Sequence, residues 1–204
     1  MTLNQYLAEY RQKYSDFKQY DRWVEAFKAR DELTRKFAWA VPTDEALECI
    51  AKYSPIVEIG AGTGYWAHLL EQMGVEIHAY DKYPPDGTQI PDFDVKLEDY
   101  PGKSWYHRGA YPHTNVRQGN QRKLKGYKPQ WNLFLCWPTM SNVAVQSLIY
   151  HRGEYVIYIG EGRWGCNAND AFFDRLDKFY EQVEGVSIPQ WDGIHDYLDV
   201  YRRR

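Results

Sequence analysis

The sequence predicts a single α/β domain in which a helical segment precedes a mainly parallel sheet. Three observations carry that prediction. Apolar residues recur at helical spacing over the N-terminal quarter. A short apolar run then ends in Gly60-Ala61-Gly62-Thr63-Gly64 and leads into a helix and a second strand. Beyond that unit, strand and helix signals alternate to the end of the chain. The length of 204 residues suits one generous domain, against about 100–200 residues for a typical one.

Over residues 3–36, Leu3, Tyr6, Leu7, Tyr10 and Tyr14, then Phe17, Tyr20, Trp23, Val24 and Phe27, fall on one helical face with charges opposite. This predicts two amphipathic helices meeting near Ser15-Asp16. Thr43 is placed as the N-cap of a third helix running to about Tyr53, with Asp44 and Glu45 in its first turn. Ile56-Val57-Glu58-Ile59 reads as a buried strand. Residues 65–73 have helical period, with Gly74 as their stop, and residues 75–80 form a second strand closed by Asp81. Strand, glycine turn, helix and strand make a βαβ unit, and right-handed crossover makes it parallel.

Residues 82–113 are rich in Pro, Gly, Asp and Tyr, and predict a long functional loop with a short element near 93–97. A third strand is expected at 115–117 and a polar turn at 121–125. Strands follow at 131–136 and 154–160 around a helix at 143–150, then a helix at 169–182 and two strands at 183–188 and 197–202.

Composition narrows the function classes. The 25 basic and 28 acidic residues give a net charge of −3, which excludes the strong global field of a protein that holds long nucleic acid mainly by its phosphates. Cys49, Cys136 and Cys166 are far apart, with no CxxC pair and no clustered histidines, so neither a disulfide framework nor a zinc site is expected. The N-terminus has no signal-peptide pattern, and no stretch approaches the about 20 apolar residues of a membrane span, so the expected location is the cytoplasm, away from membranes. The 18 Tyr and 8 Trp supply flat side chains for stacking as well as for a core.

The glycine turn carries the chemistry. Without Cβ atoms, the backbone and the positive end of the following helix can approach a ligand closely. Gly60, Gly62 and Gly64 make GxGxG preceded by Glu58. The dinucleotide fingerprint GxGxxG would want a small residue where Tyr65 stands, which puts dinucleotide binding second. Asp81, ending the second strand, is placed to accept both hydroxyls of a ribose.

Val57-Glu58-Ile59-Gly60-Ala61-Gly62-Thr63-Gly64, followed by Ala79-Tyr80-Asp81, resembles the first two motifs of class I S-adenosylmethionine-dependent methyltransferases. The resemblance is specific over residues 56–81 and covers the element order from about Pro55 onward. It implies a Rossmann-like, seven-stranded, mostly parallel sheet with an antiparallel last strand and helices on both faces, spanning 54–204 behind a helical cap of 1–53. It also implies that Gly60, Ala61, Gly62, Thr63, Gly64 and Tyr65 surround the methionine and sugar side of S-adenosylmethionine. Glu58 would meet its amino group, Asp81 and Lys82 would hold the ribose end, and Asn120 would lie against the adenine. Cys136-Trp137-Pro138-Thr139 stands where amine methylases carry a polar residue and two prolines. Trp137 and Thr139 depart from that pattern, which counts against the amine-methylating subclass.

For the remaining candidates two readings stand open. Trp39 either covers the cofactor or pins the helices to the sheet. Trp137 and Pro138 form a substrate wall or a core lid. Glu161, after the fifth strand, and His195, before the last, are candidate acid–base groups or structural polar residues. Trp39, Tyr65, Trp66, Tyr83, Trp105, Tyr106, Tyr111 and Trp137 are expected to converge on the substrate. Lys103, Arg108, Arg117, Arg122, Lys123, Lys125 and Lys128 give the same half a basic bias. The expected activity is methyl transfer to a flat acceptor, either a small molecule or a nucleobase in nucleic acid. A non-catalytic binding module and an NAD-dependent oxidoreductase are the alternatives.

Overall fold

A computed structural model describes residues 4–18, 23–89, 99, 101–107 and 109–204. Three helices come first, α1 (Gln5–Lys18), α2 (Trp23–Lys36) and α3 (Asp44–Ala51). The Thr43 hydroxyl caps α3 by accepting the Ala46 N–H at 3.1 Å, with Asp44 and Glu45 favoured by the helix dipole. The alternation follows as β1 (Ile56–Ile59), α4 (Tyr65–Gln72), β2 (Ile77–Asp81), β3 (Arg117–Gln118), β4 (Asn132–Cys136), α5 (Val143–Tyr150), β5 (Tyr155–Glu161), α6 (Asp170–Phe179), β6 (Tyr180–Ser187) and β7 (Asp196–Arg203). Short 3-10 helices occupy Trp105–His107 and Gln121–Gly126.

The seven strands form one sheet in the order β3-β2-β1-β4-β5-β7-β6. β1 to β5 are parallel, and β7 runs antiparallel between β5 and β6. These are the seven strands, the mostly parallel sheet and the antiparallel last strand that the motif resemblance implies. Both faces of the sheet are covered. On one face Phe134, Ile157 and Val200 pack with Tyr6, Leu33 and Phe37 of the N-terminal segment and with Trp66 and Leu70 of α4. On the other, Leu133, Leu135 and Tyr158 meet Leu148 of α5 and Phe172 and Leu176 of α6. A strand covered on both faces is apolar nearly throughout, and β1 and β4 depart from that only at Glu58 and Asn132.

The elements differ from expectation at three places. α1 continues through Ser15-Asp16 to Lys18, since neither residue carries the large helix penalty of Gly or Pro. The helix expected over 169–182 ends at Phe179, and β6 begins at Tyr180, whose partner across the ladder is Arg203. Aromatic pairs suit either period, and here burial of Tyr180 in the sheet decides. The third strand is displaced to Arg117–Gln118. The short element expected at 93–97 lies outside the described residues.

Candidate functional site

Strand order fixes where a site can form. The chain leaves β1 toward β2 on one side and later places β4 on the other, so a crevice opens beyond the carboxyl ends of β1 and β4. A cavity of about 520 Å³ lies there, within the 300–1,000 Å³ usual for a small-molecule pocket. Its lining joins Glu58, Gly60, Ala61, Gly62 and Thr63 of the β1 turn, Asp81 and Lys82 after β2, and Asn120 after β3. Cys136, Trp137 and Pro138 after β4 and Trp39 of the N-terminal segment complete the set. Twelve of the sixteen residues expected at the site therefore share one surface.

The turn itself is backbone chemistry. Gly60 has φ +81° and nothing within 4 Å of where a Cβ would stand, so its bare face opens on free space. Gly64 has φ +71°, and a Cβ there would meet Val116 Cγ2 at 2.6 Å, so this glycine serves packing. Neither Gly64 nor Tyr65 lines the cavity. The Tyr65 hydroxyl points the other way and accepts the Tyr6 N–H at 3.1 Å, tying α4 to α1. Thr63 performs a similar tie, donating its hydroxyl to the Phe37 carbonyl.

Two acids of opposite character border the turn. Glu58 is only 2% exposed, and among the described residues its Oε2 has no hydrogen-bond partner. Burial, reinforced by the charge of Asp81, pushes its carboxyl well above the usual range. Asp81 is 8% exposed, and both of its oxygens have partners. Its Oδ2 accepts the Gly62 N–H at 3.0 Å and lies 3.5 Å from His107 Nε2, while Oδ1 accepts the Tyr83 N–H at 2.8 Å. Burial alone would raise this carboxyl, but His107 and the two amides outweigh it and hold it below its ordinary value.

Opposite the turn stands an aromatic wall. Trp39 stacks on Trp137 with ring centres 5.5 Å apart, and Tyr106 meets the edge of Trp39 at 5.8 Å. The Arg30 guanidinium lies 5.2 Å from the Trp39 ring and 5.7 Å from the Trp137 ring. Trp137 holds φ +50°, a left-handed conformation costly for a bulky residue. It is pinned by its backbone N–H on Ile159 O and by its indole Nε1–H on Asp196 Oδ2, both at 2.8 Å. Asp196 is buried, and desolvation pushes its carboxyl up to about 6. Trp39 both packs on Trp137 and lines the cavity.

Asn120 lines the cavity while its Oδ1 caps the following 3-10 helix on the Arg122 N–H at 3.0 Å, leaving its amide N–H groups as the donors on offer. Glu161 and His195 do not line the cavity. Glu161 closes two loops instead, accepting the Cys166 N–H at 2.7 Å and the His195 N–H at 3.0 Å. Burial would raise its carboxyl, and those two amides pull it below its usual range. The structure thus gives Glu161 a loop-closing task on backbone amides that the sequence alone does not reveal. Burial raises the Cys136 thiol, which makes it a passive wall. Of the aromatic set, Trp39, Trp66, Tyr83, Tyr106 and Trp137 converge, while Tyr111 is exposed elsewhere.

Sequence reasoning missed His107, Arg30 and Asp196. Arg30 and Thr34 share a face of α2 one turn apart, which was the available signal. His107 reaches Asp81 from the far end of a long loop and gave none.

No protein-family model matches the chain, and no curated protein matches it. Solved structures do. The 1,6-didemethyltoxoflavin-N1-methyltransferase of Burkholderia thailandensis, with bound 1,6-didemethyltoxoflavin and S-adenosylhomocysteine, is 12% identical over all of this chain and 91% of its own, at a TM-score of 0.47. Magnesium protoporphyrin IX methyltransferase of Synechocystis PCC 6803, with bound S-adenosylmethionine, is 10% identical over 96% of this chain and 97% of its own, at 0.47. An rRNA methylase of Streptococcus thermophilus is 11% identical over 77% of this chain and 93% of its own, at 0.45.

Proposed function

We propose that this chain transfers a methyl group from S-adenosylmethionine to a flat acceptor held against the Trp39–Trp137 wall. The observation that carries the reading is a single cavity joining a buried, unpartnered carboxyl, a glycine turn, a second acid and an aromatic wall.

The residues suit that cofactor. Glu58 Oε2, buried without a partner, is an acceptor awaiting a cation such as an α-ammonium group. Gly60 leaves room beside the backbone for an aliphatic chain. Each Asp81 oxygen already holds one N–H and can accept a further donor from a ribose diol. Asn120 offers amide N–H groups to a ring nitrogen. When bound, S-adenosylmethionine supplies an electrophilic methyl group on a sulfonium.

Transfer of that kind is an in-line displacement that depends on alignment and exclusion of water. The chain provides both. The Trp39 and Trp137 rings present an apolar surface to the acceptor, and the Trp137 backbone and indole hydrogen bonds fix its angle. Stacking on such rings contributes about 1–3 kcal/mol per base. Asp196 lies behind Trp137 and acts on the acceptor only by holding that indole.

The test follows methyl-labelled S-adenosylmethionine with the purified protein and pools of nucleosides, oligonucleotides and aromatic metabolites. Label entering an acceptor, and its loss in Trp137→Ala, supports the reading. Cofactor binding with no turnover across the pools overturns it in favour of a binding module.

A further inference from the structure

The net charge of −3 hides an asymmetry. Between Pro101 and Gly153 there is no Asp or Glu in 53 residues, although acids make up 28 of the 204 overall. The same stretch carries eight Lys and Arg, which leaves −11 for the other 151 residues.

The fold gathers much of this charge on one edge of the sheet. Arg117 lies on β3, the edge strand, and Lys123 and Lys125 on the 3-10 helix that follows it. All three are exposed, and among the described residues none of them forms an ion pair. They rest on aromatic rings instead. Arg117 and Lys123 lie 5.9 and 5.8 Å from the Tyr80 ring centre, and Lys125 lies 4.4 Å from that of Tyr150. Tyr80 continues an aromatic chain along the edge. Its hydroxyl is 2.9 Å from that of Tyr127, which is 2.6 Å from His78 Nδ1, and His78 stacks on Trp131 at 4.6 Å. The cations are thus held over rigid rings, outward and unneutralised.

This edge adjoins the cavity. Gly119, Asn120 and Gln121 connect Arg117 to Lys123 and also line the cavity. We propose that the edge formed by β3 and the 3-10 helix Gln121–Gly126 binds the phosphate backbone of a single-stranded nucleic acid, so that one of its bases enters the adjoining cavity. This deepens the methyl-transfer reading by naming the acceptor class. A polyanion matches the unpaired cations, and the half-buried Tyr127 and Trp131 rings on the same edge suit stacked bases. A single strand is favoured because a base inside a duplex must first be flipped out to reach a cavity. A lipid surface would need apolar anchors, and no large apolar side chain of 117–131 is exposed.

The experiment measures anisotropy of labelled single strands of about 12 nucleotides, RNA and DNA, without cofactor, from about 25 to 200 mM salt. The edge variant is Arg117→Gln/Lys123→Gln/Lys125→Gln. A control, Arg11→Gln/Lys28→Gln/Lys178→Gln, changes net charge equally elsewhere. The wild type and control should bind with a steep salt dependence. The edge variant should lose about tenfold or more in affinity, and its log–log salt slope should flatten by about 2, at about 0.7 per lost phosphate contact.

Four results overturn the proposal: no saturable binding at the lowest salt, equal losses in edge and control variants, tighter binding of a duplex, or equal binding of phosphatidylserine vesicles or an Asp/Glu-rich peptide. Calorimetry with S-adenosylmethionine on the same three proteins separates the two readings. Cofactor binding without oligonucleotide binding removes only the nucleic-acid acceptor. Oligonucleotide binding without cofactor binding removes only the methyl transfer.

Discussion

Replacing Glu58 with Gln tests the buried acid on which the site is built. Glu58 is 2% exposed, lacks a partner for Oε2 and faces the charge of Asp81, so its folded-state pKa stands well above the ordinary value. Below about pH 4.3, the value of an unperturbed Glu, folded and unfolded chains both carry the proton and Glu58 contributes no pH dependence. As pH rises further, the unfolded chain releases its proton while the folded chain keeps it. Stability therefore falls by up to about 1.4 kcal/mol per pH unit until pH passes the folded pKa. The amide that replaces the carboxyl in Glu58→Gln carries no titrating proton in either state. The stability difference between Glu58→Gln and the wild type should start near zero at about pH 4 and grow with that limiting slope. Urea unfolding across about pH 4 to 8 measures it. Groups common to both proteins cancel, including Asp196, whose carboxyl at about 6 gives a slope of the same sign. A difference that stays flat across the range would show that Glu58 ionises normally, and the argument for a buried acceptor would fail. Binding supplies a second readout. An ammonium group draws Glu58 into its ionised form, so S-adenosylmethionine binding should release a proton from the wild type and none from the variant. Calorimetry in two buffers of different ionisation enthalpy detects it.

Asp81→Ala should weaken S-adenosylmethionine by about 1.5–3 kcal/mol, the value of hydrogen bonds to a charged group, or roughly tenfold to 150-fold in Kd; an unchanged Kd by calorimetry would remove Asp81 from the ribose site. Gly64→Ala forces a Cβ to within 2.6 Å of Val116 Cγ2 at φ +71°. About 1–2 kcal/mol for the backbone and about 1–3 for crowding predict a loss of about 2–5 kcal/mol in urea unfolding, and a loss below about 0.5 kcal/mol would show the turn to be relaxed. Trp137→Phe removes the indole donor from buried Asp196. It should cost about 1–3 kcal/mol, more at pH 8 than at pH 5, because the bond favours the ionised carboxyl that forms above about 6; a pH-independent cost would contradict the pairing. His195→Ala should leave the rate of methyl transfer within about twofold, since His195 gives the site only its backbone N–H to Glu161.

The legible part of the fold is the part written in local periods. β1, its glycine turn and β2 lie within 26 residues and carry period, punctuation and terminal acids in order, so the turn and both acids can be placed from the sequence. The α6–β6 junction is less legible because Phe179 and Tyr180 satisfy both a helical face and a strand face until Arg203 pairs with Tyr180. The site is half legible for the same reason. Glu58 and Asp81 sit at fixed offsets from the glycines, but His107 reaches Asp81 across 26 residues of loop and Asp196 reaches Trp137 across 59. Glu161 stays open in the sequence because an acid after a strand looks the same there whether it meets a substrate or two backbone amides.

The most direct measurement is a titration of the wild-type chain with S-adenosylmethionine, S-adenosylhomocysteine and NAD in parallel. A cavity built on Glu58, the glycine turn and Asp81 predicts saturable, one-to-one binding of the first two and none of NAD. Binding of NAD with no binding of S-adenosylmethionine would contradict it and make the chain an oxidoreductase candidate.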